Sequence, residues 1–283
     1  MDILSVHNLS KKYERFELKN VSFSLEHGYI MGFIGRNGAG KTTTLKSILN
    51  LVHADGGQVT ILGQDFSRNE LELKQKIGFM LGGTTFYPKK KLKTVADAVR
   101  RFYDEWDDAL FSDYLTKFAL DPDKKVEELS TGMQVKFALA LALSHNAKLL
   151  ILDEPTSGLD PVSRDEILEL FQELIEDGKR SILFSTHITS DLEKCADYIT
   201  YIKNGEIVAS AEKDEFLERY KLVRGGTGAL SGELRKKLIG YKENSFGFTG
   251  LIRAAELPQG QNLEVSPADI ESVMIYFEKE QKQ

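Results

Sequence analysis

At 283 residues, with 41% hydrophobic and 28% charged side chains, the chain is long enough for one large domain, alone or with a small appendage, and its body is not expected to be disordered. A formal net charge of −6 argues against general attraction to nucleic acid or to an anionic membrane surface. Cys195 is the single cysteine, which excludes an internal disulfide; it reads as a small buried apolar residue, and no Cys/His cluster has zinc spacing. The start, Met1-Asp2-Ile3-Leu4-Ser5-Val6, lacks the features of a signal peptide, and the most apolar helical run, residues 135–144, is far below the roughly 20 residues that cross a bilayer. A soluble cytoplasmic chain is expected, with any membrane work done through a partner.

Strand patterns open the chain. Ile3-Leu4-Ser5-Val6 alternates, residues 18–25 alternate at period two, and Glu26-His27-Gly28 turns into an apolar run at residues 29–34. Tyr13, between the first two strands, is either a packing aromatic or a surface on which adenine could stack. The apolar run ends in Gly35-Arg36-Asn37-Gly38-Ala39-Gly40-Lys41-Thr42-Thr43, and residues 44–49 continue as a helix. Strand, glycine loop and helix in this order predict a P-loop. Glycines let the backbone bend around an anion with successive N–H groups turned inward, and the helix N-terminus adds partial positive charge. Lys41 can reach the β- and γ-phosphates of a nucleotide triphosphate, and the Thr42 hydroxyl can complete a Mg²⁺ shell. The loop alone does not separate a kinase, a GTPase, a motor and a transporter ATPase.

Residues 58–63 and 77–81 read as strands, the second followed by Gly82-Gly83-Thr84-Thr85. Lys89-Lys90-Lys91-Leu92-Lys93 reads as a solvated loop before a helix. From Thr94 to about Leu120 the periodicity is helical, with Trp106 half-buried among acids, until Asp121-Pro122-Asp123 breaks it. Leu129-Ser130-Thr131-Gly132-Met133 leads into a long apolar helix. Ser130 is a good N-cap and Gly132 would let a phosphate approach the first N–H groups, although these residues alone describe only a capped helix.

Residues 149–152 are an apolar run that fits a strand buried on both faces, ending in Asp153-Glu154 at the edge where parallel sheets bind ligands. Asp153 fits the role of holding Mg²⁺ through its waters. Glu154 fits a base that orients or deprotonates the attacking water. A tight loop containing Asp160 precedes a helix over residues 162–177, and one more parallel strand, residues 181–186, ends at His187. That histidine lies at the same sheet edge as Lys41, Asp153 and Glu154, which favours function over packing. A hairpin of residues 198–202 and 206–210 closes the domain.

In this order the loop, the capped helix, the double acid and the histidine resemble an ATP-binding cassette (ABC) ATPase, with residues 1–217 as the nucleotide-binding domain. The resemblance implies an α/β P-loop NTPase fold: a mixed sheet core, an antiparallel β subdomain and an inserted helical subdomain at about residues 86–145. It makes Gly35, Asn37, Gly38, Ala39, Gly40, Lys41, Thr42 and Thr43 the Walker A cradle for ATP, and residues 149–153 the Walker B strand, with Thr42 and Asp153 as Mg²⁺ ligands. Glu154 matches the catalytic carboxylate, His187 the switch histidine, Asp160 the end of the D-loop and Tyr13 the adenine-stacking aromatic. The signature motif falls at residues 129–133. It departs from the usual wording at Thr131 and Met133 and keeps Ser130 and Gly132, the phosphate-facing members. The family's Q-loop glutamine would fall at about Gly82, which has no side chain.

The resemblance also implies partners. Two cassettes, identical or divergent, would pack head to tail with each ATP between the P-loop of one and Ser130/Gly132 of the other, on the inner face of a membrane and bound to an integral permease. The wording around residues 28–35, 129–133 and 187–193 and the ending at residues 270–277 are similar to ATPase subunits of small Gram-positive exporters, a group that includes exporters of amphipathic peptides such as phenol-soluble modulins. The alternative is a soluble ABC ATPase acting on ribosomes or DNA, against which stand a single P-loop, the absence of a heptad run and the negative charge. Residues 218–283 read as a small C-terminal α/β accessory domain, with Arg224-Gly225-Gly226-Thr227-Gly228 as a flexible link, a short helix at 233–239 and a helix at 267–279.

Overall fold

The computed structural model describes residues 1–82, 87–258 and 263–279; Gly83, Thr84 and Thr85, and residue 86, the first of the expected helical insertion, lie outside them. The chain divides into two compact units, Met1–Ser210 and Ala211–Gln283, which puts the short helix Lys213–Glu218 with the second.

Among the described residues, the first unit's strands are β1 (Asp2–Lys12), β2 (Glu17–Glu26), β3 (Ile30–Ile34), β4 (Gly56–Ile61), β5 (Gln64–Asp65), β6 (Ile77–Met80), β7 (Leu149–Asp153), β8 (Ser181–Thr186), β9 (Tyr198–Lys203) and β10 (Glu206–Glu212), the last crossing the boundary. Its helices are α1 (Lys41–Ile48), α2 (Glu70–Lys74), α3 (Leu92–Val99), α4 (Asp108–Lys117), α5 (Thr131–Leu143), α6 (Pro161–Ile175) and α7 (Thr189–Cys195). One sheet, in the order β2-β1-β4-β5, is antiparallel. The other runs β10-β9-β3-β8-β7-β6, and its pairs from β9 to β6 are parallel. Every residue of β3, β7 and β8 is buried, as strands covered on both faces must be. Leu45 and Ile48 of α1 join one apolar core that takes Leu4, Val6 and Leu18 from the antiparallel sheet and Met31, Phe33 and Ile151 from the parallel one.

The register of the parallel strands builds the site. Ile34 of β3 lies opposite Thr186 of β8, and Asp153 of β7 lies opposite Ser185. The residues that follow, Gly35, Glu154 and His187, therefore leave the sheet at one edge, where ligands of open α/β sheets bind.

Residues 94–120 do not form one helix. α3 stops at Val99, a single tighter turn spans Arg100–Phe102, and α4 starts afresh with Asp107 as N-cap, its carboxylate accepting from the Leu110 N–H. Tertiary contacts override the periodicity here: Tyr103 stacks on His145 with ring centroids 3.7 Å apart, and the Asp107 N–H donates to the Ser144 carbonyl.

In the second unit, α8 (Lys213–Glu218), β11 (Tyr220–Gly226), α9 (Gly232–Lys237), β12 (Leu238–Asn244), β13 (Gly247–Arg253), β14 (Glu264–Pro267) and α10 (Ile270–Glu278) follow in order. The sheet is antiparallel, β12-β13-β11-β14. The flexible link expected at Arg224-Gly225-Gly226 is instead the end of β11, paired on both sides or with β13 alone. Crowding explains Gly225, where a Cβ would stand 2.5 Å from the Phe248 ring and 3.0 Å from Ala229, but not Gly226, around which the space is open. Gly225 was chosen for close packing, which a sequence reading confuses with looseness.

Candidate nucleotide site and catalytic cluster

β3 delivers Gly35 to the sheet edge, and the loop from there to α1 needs backbone that side chains resist. Gly38 has φ 83° with open space around it, and Gly40, the residue before α1, has φ 116° and is pressed by Phe16 and Leu18. Lys41, only 5% exposed, folds back so that its Nζ donates to the Gly35 carbonyl at 2.7 Å and lies 3.1 Å from Glu154 Oε1. A buried ammonium thus rests on the polar groups at hand, in the place where phosphate oxygens are expected.

Thr42 Oγ1 donates to Asp153 Oδ2 at 2.8 Å, and Ser185 Oγ donates to Asp153 Oδ1 at 2.5 Å. Asp153 is 2% exposed, so these hydroxyls are what make its burial tolerable. Glu154 sits in the left-handed region at φ 52°, and its N–H is held by Ser185 at both the carbonyl and the hydroxyl. Its Oε2 accepts from His187 Nδ1 at 2.7 Å. Lys41, Thr42, Asp153, Glu154 and His187 are therefore brought together as expected at one edge.

Beside them lies a cleft of about 610 Å³ lined by Arg15, Phe16, Asn37, Gly38, Thr43 and Ser157 together with other loop residues, Glu154 and His187. Tyr13 is not among its lining residues. It is 44% exposed, with the Lys11 ammonium 5.7 Å from its ring centroid, while Phe16 and Arg15 reach the cleft from the turn that the Tyr13 N–H closes onto the Phe16 carbonyl. Ser130, Gly132 and Asp160 do not line it either. Ser130 caps α5 by accepting from the Met133 N–H, Asp160 caps α6 by accepting from Val162 and Ser163 N–H, and a Cβ on Gly132 would touch Ser163 Oγ at 3.3 Å. The N-termini of α5 and α6 thus lie side by side, outside the lining of this cleft. Hydrogen bonds from the Ser163 side chain and N–H, and then from the Val162 N–H, hold the Asp160 carboxyl below its ordinary range.

Residues that sequence reasoning passed over are Phe16, Arg15 and Ser185. Ser185 had a signal, since a hydroxyl in the middle of a buried apolar strand needs a partner. Phe16 had none: it sits among charged neighbours and shows its role only once packed against Gly40.

The donor set at Thr42 and Asp153 is a hydroxyl and a carboxylate, hard oxygens that suit Mg²⁺. Gly82 stands beside them, with an added Cβ only 3.2 Å from Asp153 Oδ2, so the absence of a side chain leaves room at this carboxylate. Among the described residues there is no group of three or more His, Cys, Asp or Glu that could hold a metal ion.

The fold and the cleft define a P-loop NTPase of the α/β class. Residues 18–157 match the ABC transporter family model. The chain is 32% identical over 219 residues to the ABC transporter ATP-binding protein YtrB of Bacillus subtilis, covering 77% of this chain and 75% of that one. It is 31% identical to the bacitracin transport ATP-binding protein BcrA of Bacillus licheniformis (77% and 72% covered) and 34% identical to the lantibiotic transport ATP-binding protein SrtF of Streptococcus pyogenes (75% and 92% covered). A solved ATP-binding subunit of an ABC transporter superposes with a TM-score of 0.68 at 27% identity, covering 75% of this chain and 91% of that one. The chain belongs to the ABC transporter ATP-binding proteins, and is an ATPase of that family. Among the described residues no helix is long and apolar enough to cross a membrane.

Proposed function

We propose that this chain is the motor of an exporter: two cassettes, identical or divergent, close head to tail around two MgATP on the cytoplasmic face of the membrane and drive an integral permease. One observation carries the dimer. Ser130 and Gly132 stand at the N-terminus of α5, whose first N–H groups suit a phosphate, yet they lie outside the cleft formed by this chain's own P-loop. A phosphate held at Lys41 meets such a helix end if a second cassette supplies it. The names of the relatives, which include transport of bacitracin and of a lantibiotic and resistance to linearmycin, favour amphipathic peptides or similar drugs as cargo over a role on ribosomes or DNA.

Within the site, Lys41 exchanges the Gly35 carbonyl and Glu154 for phosphate oxygens when ATP enters. Glu154 is then released to orient or deprotonate the attacking water, with His187 holding the carboxylate through its Nδ1–H. Thr42 and Asp153 would hold Mg²⁺, which supplies neutralisation of phosphate charge. Asn37, Gly38, Ala39, Gly40 and Thr43 offer backbone N–H groups and a hydroxyl to the phosphates. Tyr13, if it stacks on adenine, turns inward from its place beside Lys11, and Phe16 already offers a ring at the cleft.

The test compares Glu154→Gln with the double variant Glu154→Gln/Ser130→Ala. The first is expected to bind ATP, to lose turnover and to elute as an ATP-dependent dimer in size-exclusion chromatography. Adding Ser130→Ala should weaken that dimer at least several-fold while ATP affinity of the monomer stays within about twofold. Equal loss of dimer and monomer affinity would overturn the composite site.

A further inference from the structure

We infer that Asp191 is a positioning residue for ATP hydrolysis: its buried carboxylate ties the loop after Glu154 to the strand end before His187 and so sets the geometry of that pair. This rests on the roles proposed above for Glu154 and His187. Asp191 lies in the first turn of α7 and is fully buried. Its Oδ2 accepts from Thr156 Oγ1 at 2.5 Å, two residues past Glu154, and lies 3.4 Å from Thr186 Oγ1, one residue before His187. The Thr186 hydroxyl in turn accepts from the Ile188 N–H at 3.0 Å and so fixes the turn that carries His187. One carboxylate oxygen therefore binds both branches of the Glu154–His187 hydrogen bond from below.

Two further observations point to function. Glu154 is held at φ 52°, a conformation that a β-carbon disfavours and that its surroundings must over-determine. Ser185 grips the N–H on its upstream side, and the Thr156–Asp191 hydrogen bond is the matching grip downstream. The second observation is cost. Asp191 Oδ1 and Arg164 Nε are buried without hydrogen-bond partners, and the nearest guanidinium nitrogen, Arg164 Nη1, is 3.7 Å from Oδ1. A buried ion pair of this length, with Oδ1 lacking a hydrogen bond, is weak evidence for stability. Burial pushes the Asp191 carboxyl above the ordinary carboxylate range, which is the same cost seen from the proton's side.

The experiment measures steady-state ATP hydrolysis and binding of a fluorescent ATP analogue by the full chain carrying Thr156→Val, Asp191→Ala or Asp191→Asn, with Glu154→Gln alongside. Thr156→Val keeps the buried volume and deletes only the hydroxyl, so it stays informative if Asp191→Ala unfolds. Thr156→Val is expected to lower kcat about 10-fold, with KM and analogue affinity within about twofold, because a charge-assisted hydrogen bond is lost. Asp191→Asn should recover most of the activity lost in Asp191→Ala, since the amide oxygen still accepts from Thr156. A folded Thr156→Val with wild-type kcat overturns the inference, as does an Asp191→Asn no better than Asp191→Ala. If Glu154→Gln itself hydrolyses ATP normally, the assignment of Glu154 falls first; if it is inactive while Thr156→Val is not, only the positioning role falls.

Discussion

The two units both set helices against a sheet, and they gather polar residues in opposite ways. In the first, parallel strands end together, and the edge collects Lys41, Asp153, Glu154, Ser185 and His187 into one hydrogen-bonded cluster. In the second, the strands are antiparallel, so their ends alternate and no common carboxyl edge exists on which such a cluster could gather. Gly38 is glycine because its backbone is left-handed beside an open cleft. Gly240 is glycine because a Cβ there would stand 2.3 Å from the Tyr276 carbonyl of α10. Close approach of a helix is not confined to the second unit, since a Cβ on Gly78 of β6 would stand 2.5 Å from the Ala142 carbonyl of α5; a glycine's role follows its own neighbours.

That contrast is broken if substitutions in the two units have the same kind of effect. The largest effect is expected from Lys41→Ala, which removes a preorganised charge next to developing phosphate charge. It should cost on the order of 3 kcal/mol in the transition state, about a hundredfold or more in turnover, with thermal unfolding nearly unchanged. Gly240→Ala should do the reverse. The Tyr276 backbone cannot step aside as a flexible side chain could, so about 1–3 kcal/mol of stability should be lost from the second unit. Calorimetry should show one transition lowered and ATP turnover unchanged below it. A Gly240→Ala chain that hydrolyses ATP poorly while fully folded would mean that the second unit acts on the chemistry.

How much of this was readable beforehand follows the same division. The P-loop, the buried strand ending in Asp153-Glu154 and the strand ending at His187 were legible because each combines a local pattern with a chemical demand, and their common edge follows from parallel pairing. The Ser130 cap was legible from one residue type before an apolar helix. What stayed hidden depends on contacts between residues distant in sequence. The break at residues 103–107 comes from Tyr103 meeting His145 and Asp107 meeting Ser144, and nothing local announces either. Gly225-Gly226 look like a hinge in isolation and are a strand because they pair with Phe248 and Gly247 of β13. Asp191 is one more polar residue in a short helix until Thr156 and Thr186 close around it.

The smallest expected effect concerns a residue in the first unit that behaves as packing and yet titrates. His145 is 1% exposed, stacks on Tyr103 and has Nδ1 3.3 Å from the Gln75 carbonyl, to which it must donate because a carbonyl only accepts. Nε2 is then left buried without a partner, and burial pulls the imidazole down to about 4 from its ordinary 6.5. The unfolded chain therefore takes up a proton at this site at a pH where the folded chain does not. Stability is fully present above about pH 6.5 and is lost as pH falls toward about 4, with a slope of at most about 1.4 kcal/mol per pH unit. From pH 7 to pH 5 the loss from this residue should be about 2 kcal/mol. His145→Phe keeps an aromatic stack on Tyr103 and does not titrate, so urea unfolding at the two pH values should show a difference smaller by that amount than in the unaltered chain. An equal pH dependence in both would mean that the imidazole is hydrated or charged in the folded state, and that the first unit, like its catalytic edge, tolerates an ionised group there.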